Sequence, residues 1–81
     1  MTAKSKVKKL TATEFVVCLR NNGCEVSLER LKIYGAIPDP HASRHRQVRV
    51  IDESGEDYLF PRSFFAAIDV PRRVRQAMRR A

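Results

Sequence analysis

Cys18, Cys24, His41 and His45 are the residues best suited to metal chemistry, standing as Cys-x5-Cys and His-x3-His. Two histidines one helical turn apart face the same way, and with two thiolates they make a chemically complete tetrahedral zinc set. The cysteine spacing argues against it, because zinc sites of this kind place their cysteines roughly two to four residues apart. Cys18 is also flanked by Val16, Val17 and Leu19, as a buried thiol would be. No metal and no cofactor is expected. A second cluster, Asp52, Glu53, Glu56 and Asp57, has the oxygens for a hard cation but not the ligand spacing of a calcium loop. Around Ser54-Gly55 it reads instead as a solvated hairpin turn.

Catalysis finds no support in the sequence. There is no Gly-rich phosphate loop, no nucleophile elbow and no pair of carboxylates set in an apolar stretch. A body of some sixty residues also has little interior in which to desolvate a general acid or base. The chain is expected to be non-enzymatic, with no small-molecule substrate.

Charge is the stronger lead. The 81 residues carry a net +7, and the charge is unevenly placed. Residues 1–10 hold Lys4, Lys6, Lys8 and Lys9 without an acid; residues 71–81 hold Arg72, Arg73, Arg75, Arg79 and Arg80 without an acid. The intervening sixty residues set seven basic groups against all nine acids, so a slightly acidic body lies between two basic ends. Such ends suit nonspecific, salt-sensitive contact with the phosphates of RNA or DNA, and Arg44, Arg46 and Arg49 would extend the patch.

These residues need elements to hold them. Glu14 to Arg20 is rich in β-branched and aromatic types, and Asn21-Asn22-Gly23 follows as a hairpin signal. A two-residue turn at Asn22-Gly23 predicts Arg20 opposite Glu25, Leu19 opposite Val26, Cys18 opposite Ser27 and Val17 opposite Leu28. In that register the two cysteines are not opposed, so no intrachain disulfide is expected. The apolar parity then shifts between Val26/Leu28 and Leu31/Ile33, which predicts a bulge or bend at Glu29-Arg30. A strand over Leu31 to Ile37 comes next. Asp39 is a good N-cap and Pro40 a good first helical residue, giving a helical turn over residues 40–46. Val48–Asp52 and Asp57–Phe60 form a hairpin about Glu53-Ser54-Gly55, Pro61-Arg62-Ser63 is a tight connection, and Phe64–Val70 is the last strand.

Beyond Pro71 the pattern becomes helical, with Val70, Val74 and Met78 at i, i+4 and i+8 and arginines around the rest. Three parts follow: a flexible basic tail over 1–13, an all-β domain over 14–70, and a short basic helix or tail over 71–81. The longest apolar run near the start, Phe15 to Leu19, is too short for a membrane span or the apolar region of a signal peptide. No membrane association is expected, and a cytoplasmic location with reduced thiols is.

The stretch Val48 to Val70 resembles the distal half of a Src-homology-3 (SH3)-like barrel. It has an acidic-Gly hairpin, then Tyr58-Leu59-Phe60-Pro61, a one-turn element at Ser63-Phe64-Phe65 and a short final strand. Over residues 14–70 the chain also resembles a group of short bacterial proteins of unknown function. They share patterns near Leu31-Lys32-Ile33-Tyr34, Pro38-Asp39 and Arg49 to Pro61. The resemblance implies a small SH3-like barrel of five to six antiparallel strands, and no activity. Peptide-binding members of the SH3 family grip polyproline between aromatic ridges that usually include a tryptophan. This chain has no Trp, which leaves only a reduced groove at Tyr34, Pro61 and Phe64. The alternative role is a protein-interaction module or homo-oligomer using that groove and the apolar face of the C-terminal helix.

Overall fold

A computed structural model describes residues 14–80. The elements run β1 (Glu14–Cys18), β2 (Ile33–Ile37), α1 (Pro40–Arg44), β3 (Gln47–Ile51), β4 (Asp57–Pro61), a 3-10 turn (Arg62–Phe64), β5 (Phe65–Ile68) and α2 (Arg72–Arg80). The strands form one antiparallel sheet in the order β4-β3-β2-β1-β5. Four consecutive strands pair as a meander and β5 returns to β1, with Phe15 opposite Ile68 and Cys18 opposite Phe65. The all-β class is therefore correct. The ladder is not closed, since β4 and β5 stand at its two edges.

The two faces of β1 are both apolar, the pattern of a strand covered on each side. Its inward residues Val16 and Cys18 join Tyr34 and Ala36 of β2, Val50 of β3, Phe60 of β4, Phe64 and Leu28 in the main core. On the opposite face Phe15 is buried, with Gly35 directly across the ladder. The helix α2 runs alongside, with Val74 and Met78 lining the same groove and the Arg75 guanidinium 5.0 Å from the centre of the Phe15 ring.

The predicted hairpin beyond Cys18 does not form. The turn at Asn22-Gly23 is real, with Gly23 at φ +81° and the Cys24 N–H donating to the Asn21 carbonyl at 2.7 Å. Residues 25–28 then coil instead of running back as a strand, and the Leu28 N–H donates to the Cys24 carbonyl at 2.9 Å. In this helical turn Cys24 and Leu28 share a face and turn inward, so Leu28 is 1% exposed and Val26, predicted to pair with Leu19, is 95% exposed. Burial at i, i+4 has displaced burial at i, i+2 in a window too short to tell the two periods apart.

β1 instead pairs with β2, placing Val17 opposite Ile33 and Val16 opposite Tyr34. Beyond the strands, the Cys18 N–H donates to the Lys32 carbonyl at 2.9 Å and the Leu31 N–H to the Cys18 carbonyl at 2.6 Å. The parity change marks a true bend, at Leu31 with φ 67°, but it separates a coiled loop from a strand and not two strands.

The helical turn α1 forms where Asp39-Pro40 predicts it. The Asp39 carboxylate accepts from the Ala42 N–H at 3.0 Å, and Pro40 occupies the first turn, where no N–H is needed.

The two loop assignments make different predictions. Leu28→Ala should cost about 2–5 kcal/mol, as for other leucines deleted from a packed core. Val26→Ala should leave the urea midpoint almost unchanged. Comparable destabilisation at both positions would restore the hairpin.

Candidate functional site

The acidic turn between β3 and β4 is a set of internal ties. Asp52 is buried, and its Oδ1 accepts from the Ser54 N–H at 2.8 Å and from the Ser54 hydroxyl. Gly55, at φ +83°, closes the turn by donating its N–H to the Asp52 carbonyl at 3.0 Å. Glu53 takes the Lys32 ammonium at 2.7 Å and accepts from the Tyr34 hydroxyl. Asp57 takes the Arg49 guanidinium at 2.8 Å. Asp52 is thus not the solvated acid the sequence suggests, and these carboxylates turn to separate partners.

Tyr34 joins this turn to the coiled loop. Its hydroxyl accepts from the Glu29 N–H at 2.7 Å while donating to Glu53, whose own N–H donates to the Ser27 carbonyl at 3.0 Å. Burial, reinforced by the Glu53 acceptor, pushes the Tyr34 hydroxyl well above the usual phenol range. It remains protonated and serves as a strut.

Arg49 is the second junction. Its Nε donates to Asp39 at 2.9 Å and its Nη1 to Asp57 at 2.8 Å, so the predicted phosphate contact at Arg49 is corrected to an internal ion pair. The paired carboxylates of Asp39 and Asp57 raise the guanidinium above its ordinary value. The Ala42 N–H, and then Arg49, lower Asp39.

The thiols and imidazoles fall into different surroundings. Cys18 is fully buried, donates to the Arg20 carbonyl at 3.2 Å, and has its thiol pushed up by burial. Cys24 packs partly against the same core, and both cysteines are free. His41 on α1 and His45 at its C-cap are exposed, with ring centres 4.7 Å apart. Among the described residues no group of three or more His, Cys, Asp or Glu side chains could hold a metal ion.

Of the groove residues predicted from sequence, Tyr34 and Phe64 are buried in the main core and Pro61 is exposed at the end of β4. An apolar depression lies on the other face of the sheet, a groove of about 540 Å³ between β2 and α2 with Phe15, Ile33 and Ile51 among its walls. Tyr34 contributes to its lining, Val74 and Met78 flank it, and Leu31, 69% exposed, stands beside Lys32 at its edge. The unbroken apolar run of β1 was the signal for this second face.

Among the predicted phosphate contacts, Arg72 and Arg73 are exposed on α2 and make no ion pair among the described residues, whereas Arg75 lies over Phe15. Lys4, Lys6, Lys8 and Lys9, and the side chains of Arg79 and Arg80, lie outside the described residues. Arg44 and Arg46 are exposed, and the fold adds Arg62 beside them: the Arg62 N–H donates to the Arg46 carbonyl at 3.0 Å. Extending the predicted β3–β4 hairpin to its observed end, Gln47 opposite Pro61, is what brings these two arginines together. No helix among the described residues is long and apolar enough to cross a membrane. No family model, curated protein or solved structure matches this chain.

Two outcomes test the junctions. Tyr34→Phe, which leaves the partly buried Glu29 N–H without its acceptor, should lower unfolding stability by about 1–3 kcal/mol; an unchanged urea midpoint would contradict it. Asp39 is lowered in the folded state, so its contribution is present above the unfolded value, about 3.9, and lost as pH falls through the lower folded value. Asp39→Asn keeps a capping oxygen and loses the charge. The stability gap between wild type and this variant should therefore be open at neutral pH and narrow below about pH 4, whereas a gap independent of pH would refute the pairing.

Proposed function

We propose that this chain is a cytoplasmic, non-enzymatic binding module on an SH3-like barrel, and that it associates with the phosphodiester backbone of RNA or DNA through its basic ends. The observation that carries the reading is the contrast in charge placement. Arg72 and Arg73 are exposed and without an ion pair among the described residues, while Lys32 and Arg49 of the body are held by carboxylates. Basic side chains of this kind neutralise phosphates and release counterions, giving affinity without sequence readout.

The return of β5 to β1, the 3-10 turn between β4 and β5, and the long β1–β2 loop support the SH3-like assignment. With Tyr34 and Phe64 buried and no tryptophan, polyproline recognition has little to work with. The protonated Cys18 thiol and the hydrogen-bonded Asp52 favour binding over catalysis. Free cysteines fit a reducing compartment.

A second reading, self-association, has the groove beside α2 in its favour, with Leu31 and Val74 exposed along it. It requires a mass that rises with concentration in sedimentation equilibrium and that falls to the monomer in Leu31→Asp.

Electrophoretic mobility shift with a short RNA and a duplex DNA tests the main reading. Binding should be visible at low salt and weaken steeply as salt rises. Alanine at Arg72 and Arg73 together with Lys4, Lys6, Lys8 and Lys9 should flatten that dependence by about 0.7–0.9 in slope for each phosphate no longer neutralised. Substitution is preferable to truncation, because α2 covers Phe15. No shift at low salt, or unchanged binding by the substituted chain, would overturn the reading.

A further inference from the structure

We propose that the end of the sheet where α1 meets the 3-10 turn is itself a phosphodiester-contacting surface, formed by Arg44, Arg46 and Arg62. It rests on the nucleic-acid reading above and adds a rigid, body-borne contact to the basic ends.

The three side chains are exposed and form no ion pair among the described residues. Arg46 and Arg62, distant in sequence, are fixed side by side by the Arg62 N–H to Arg46 carbonyl bond at 3.0 Å. Arg46 ends the helical turn at φ 58°, a left-handed position where glycine is the usual occupant. An arginine stands there although backbone geometry alone favours a residue with no side chain.

Most of the surrounding carboxylates are engaged or distant. Residues 40–50 and 58–68 contain no acid. Asp39, which precedes this stretch, is held by Arg49, as is Asp57 at the far end of the hairpin. Glu14 and Asp69 are exposed at the start of β1 and the end of β5 and are the remaining acids toward this side. The other carboxylates of this hairpin, Asp52, Glu53 and Glu56, belong to the far end of β3. Five strand residues separate the two ends by roughly 13 Å, more than the screening length of about 8 Å at physiological salt. A polyanion at the arginine end is thus largely shielded from the acidic end.

The described chain begins beside this surface. Glu14, the first described residue, lines a depression of about 480 Å³ together with Arg44, Gln47 and the Asp39–Arg49 pair. Ile68 pairs with Phe15, so the chain departs toward α2 from beside the start of β1. His41 and His45 border this surface and add ring hydrogen-bond groups.

The test is fluorescence anisotropy of labelled single-stranded RNA and duplex DNA with the full-length chain across a salt series. Arg44→Ala, Arg46→Ala and Arg62→Ala combined should reduce the salt slope by about 2.7 on duplex DNA and about 2.1 on single strands. The matching lysine triple should retain most of the slope. Arg46→Gly gives a control independent of folding defects: it relieves the positive φ, so the thermal midpoint should rise while the slope falls by about 0.9 on duplex DNA. If the alanine triple binds like wild type while the substituted termini lose binding, the surface is wrong and the nucleic-acid reading stands. If wild type binds neither probe at low salt, both fall.

Discussion

Arg49 holds the charge pattern of this molecule in place. From the middle of β3 its guanidinium reaches the N-cap of α1 through Asp39 and the first residue of β4 through Asp57. An exposed ion pair is worth little alone, but one planar group with two fixed acceptors also sets geometry. It locks the β2–β3 connection against the β3–β4 hairpin. It also engages Asp39, the carboxylate at the start of the helical turn that carries Arg44, so part of the segregation of charge follows from the packing of the hairpin.

The rest of the architecture ties down the acids of the β3–β4 turn at the other end. Glu53 is held by Lys32 and Tyr34, and Asp52 by Ser54, so the β3–β4 turn is a crosslink between the hairpin and the loop before β2. Leu28, carried by that loop, plugs the main core, and Tyr34 ties the loop down from β2. The opposite face of the sheet is finished by α2 over Phe15, which leaves a half-open apolar groove and turns Arg72 and Arg73 to solvent. Each face of the small sheet has its own cover.

Much of this was legible in the sequence wherever a local rule had one solution. Asp39-Pro40 specified a capped turn, Ser54-Gly55 a hairpin reversal, and Val70/Val74/Met78 a helix with one apolar side. The β1–β2 loop was not legible, because Cys24, Val26 and Leu28 satisfy both an alternating and a helical period over five residues. Tertiary burial of Cys24 and Leu28 decided between them. The corrected role of Arg49 had a similar cause: a lone arginine in a strand looks the same whether it meets solvent or two carboxylates brought from other elements. The adjacency of Arg46 and Arg62 was latent in the hairpin and needed only its full length.

The central claim is that the body is polarised, with a polyanion meeting the α1 and 3-10 end. Two-dimensional amide NMR during titration with a short single-stranded RNA addresses it most directly. Shifts should concentrate in residues 40–46 and 61–63 and in α2, while the amides of 52–56 stay in place. Shifts centred on the acidic turn, or on the groove around Phe15 and Leu31 with 40–46 and 61–63 unmoved, would contradict it.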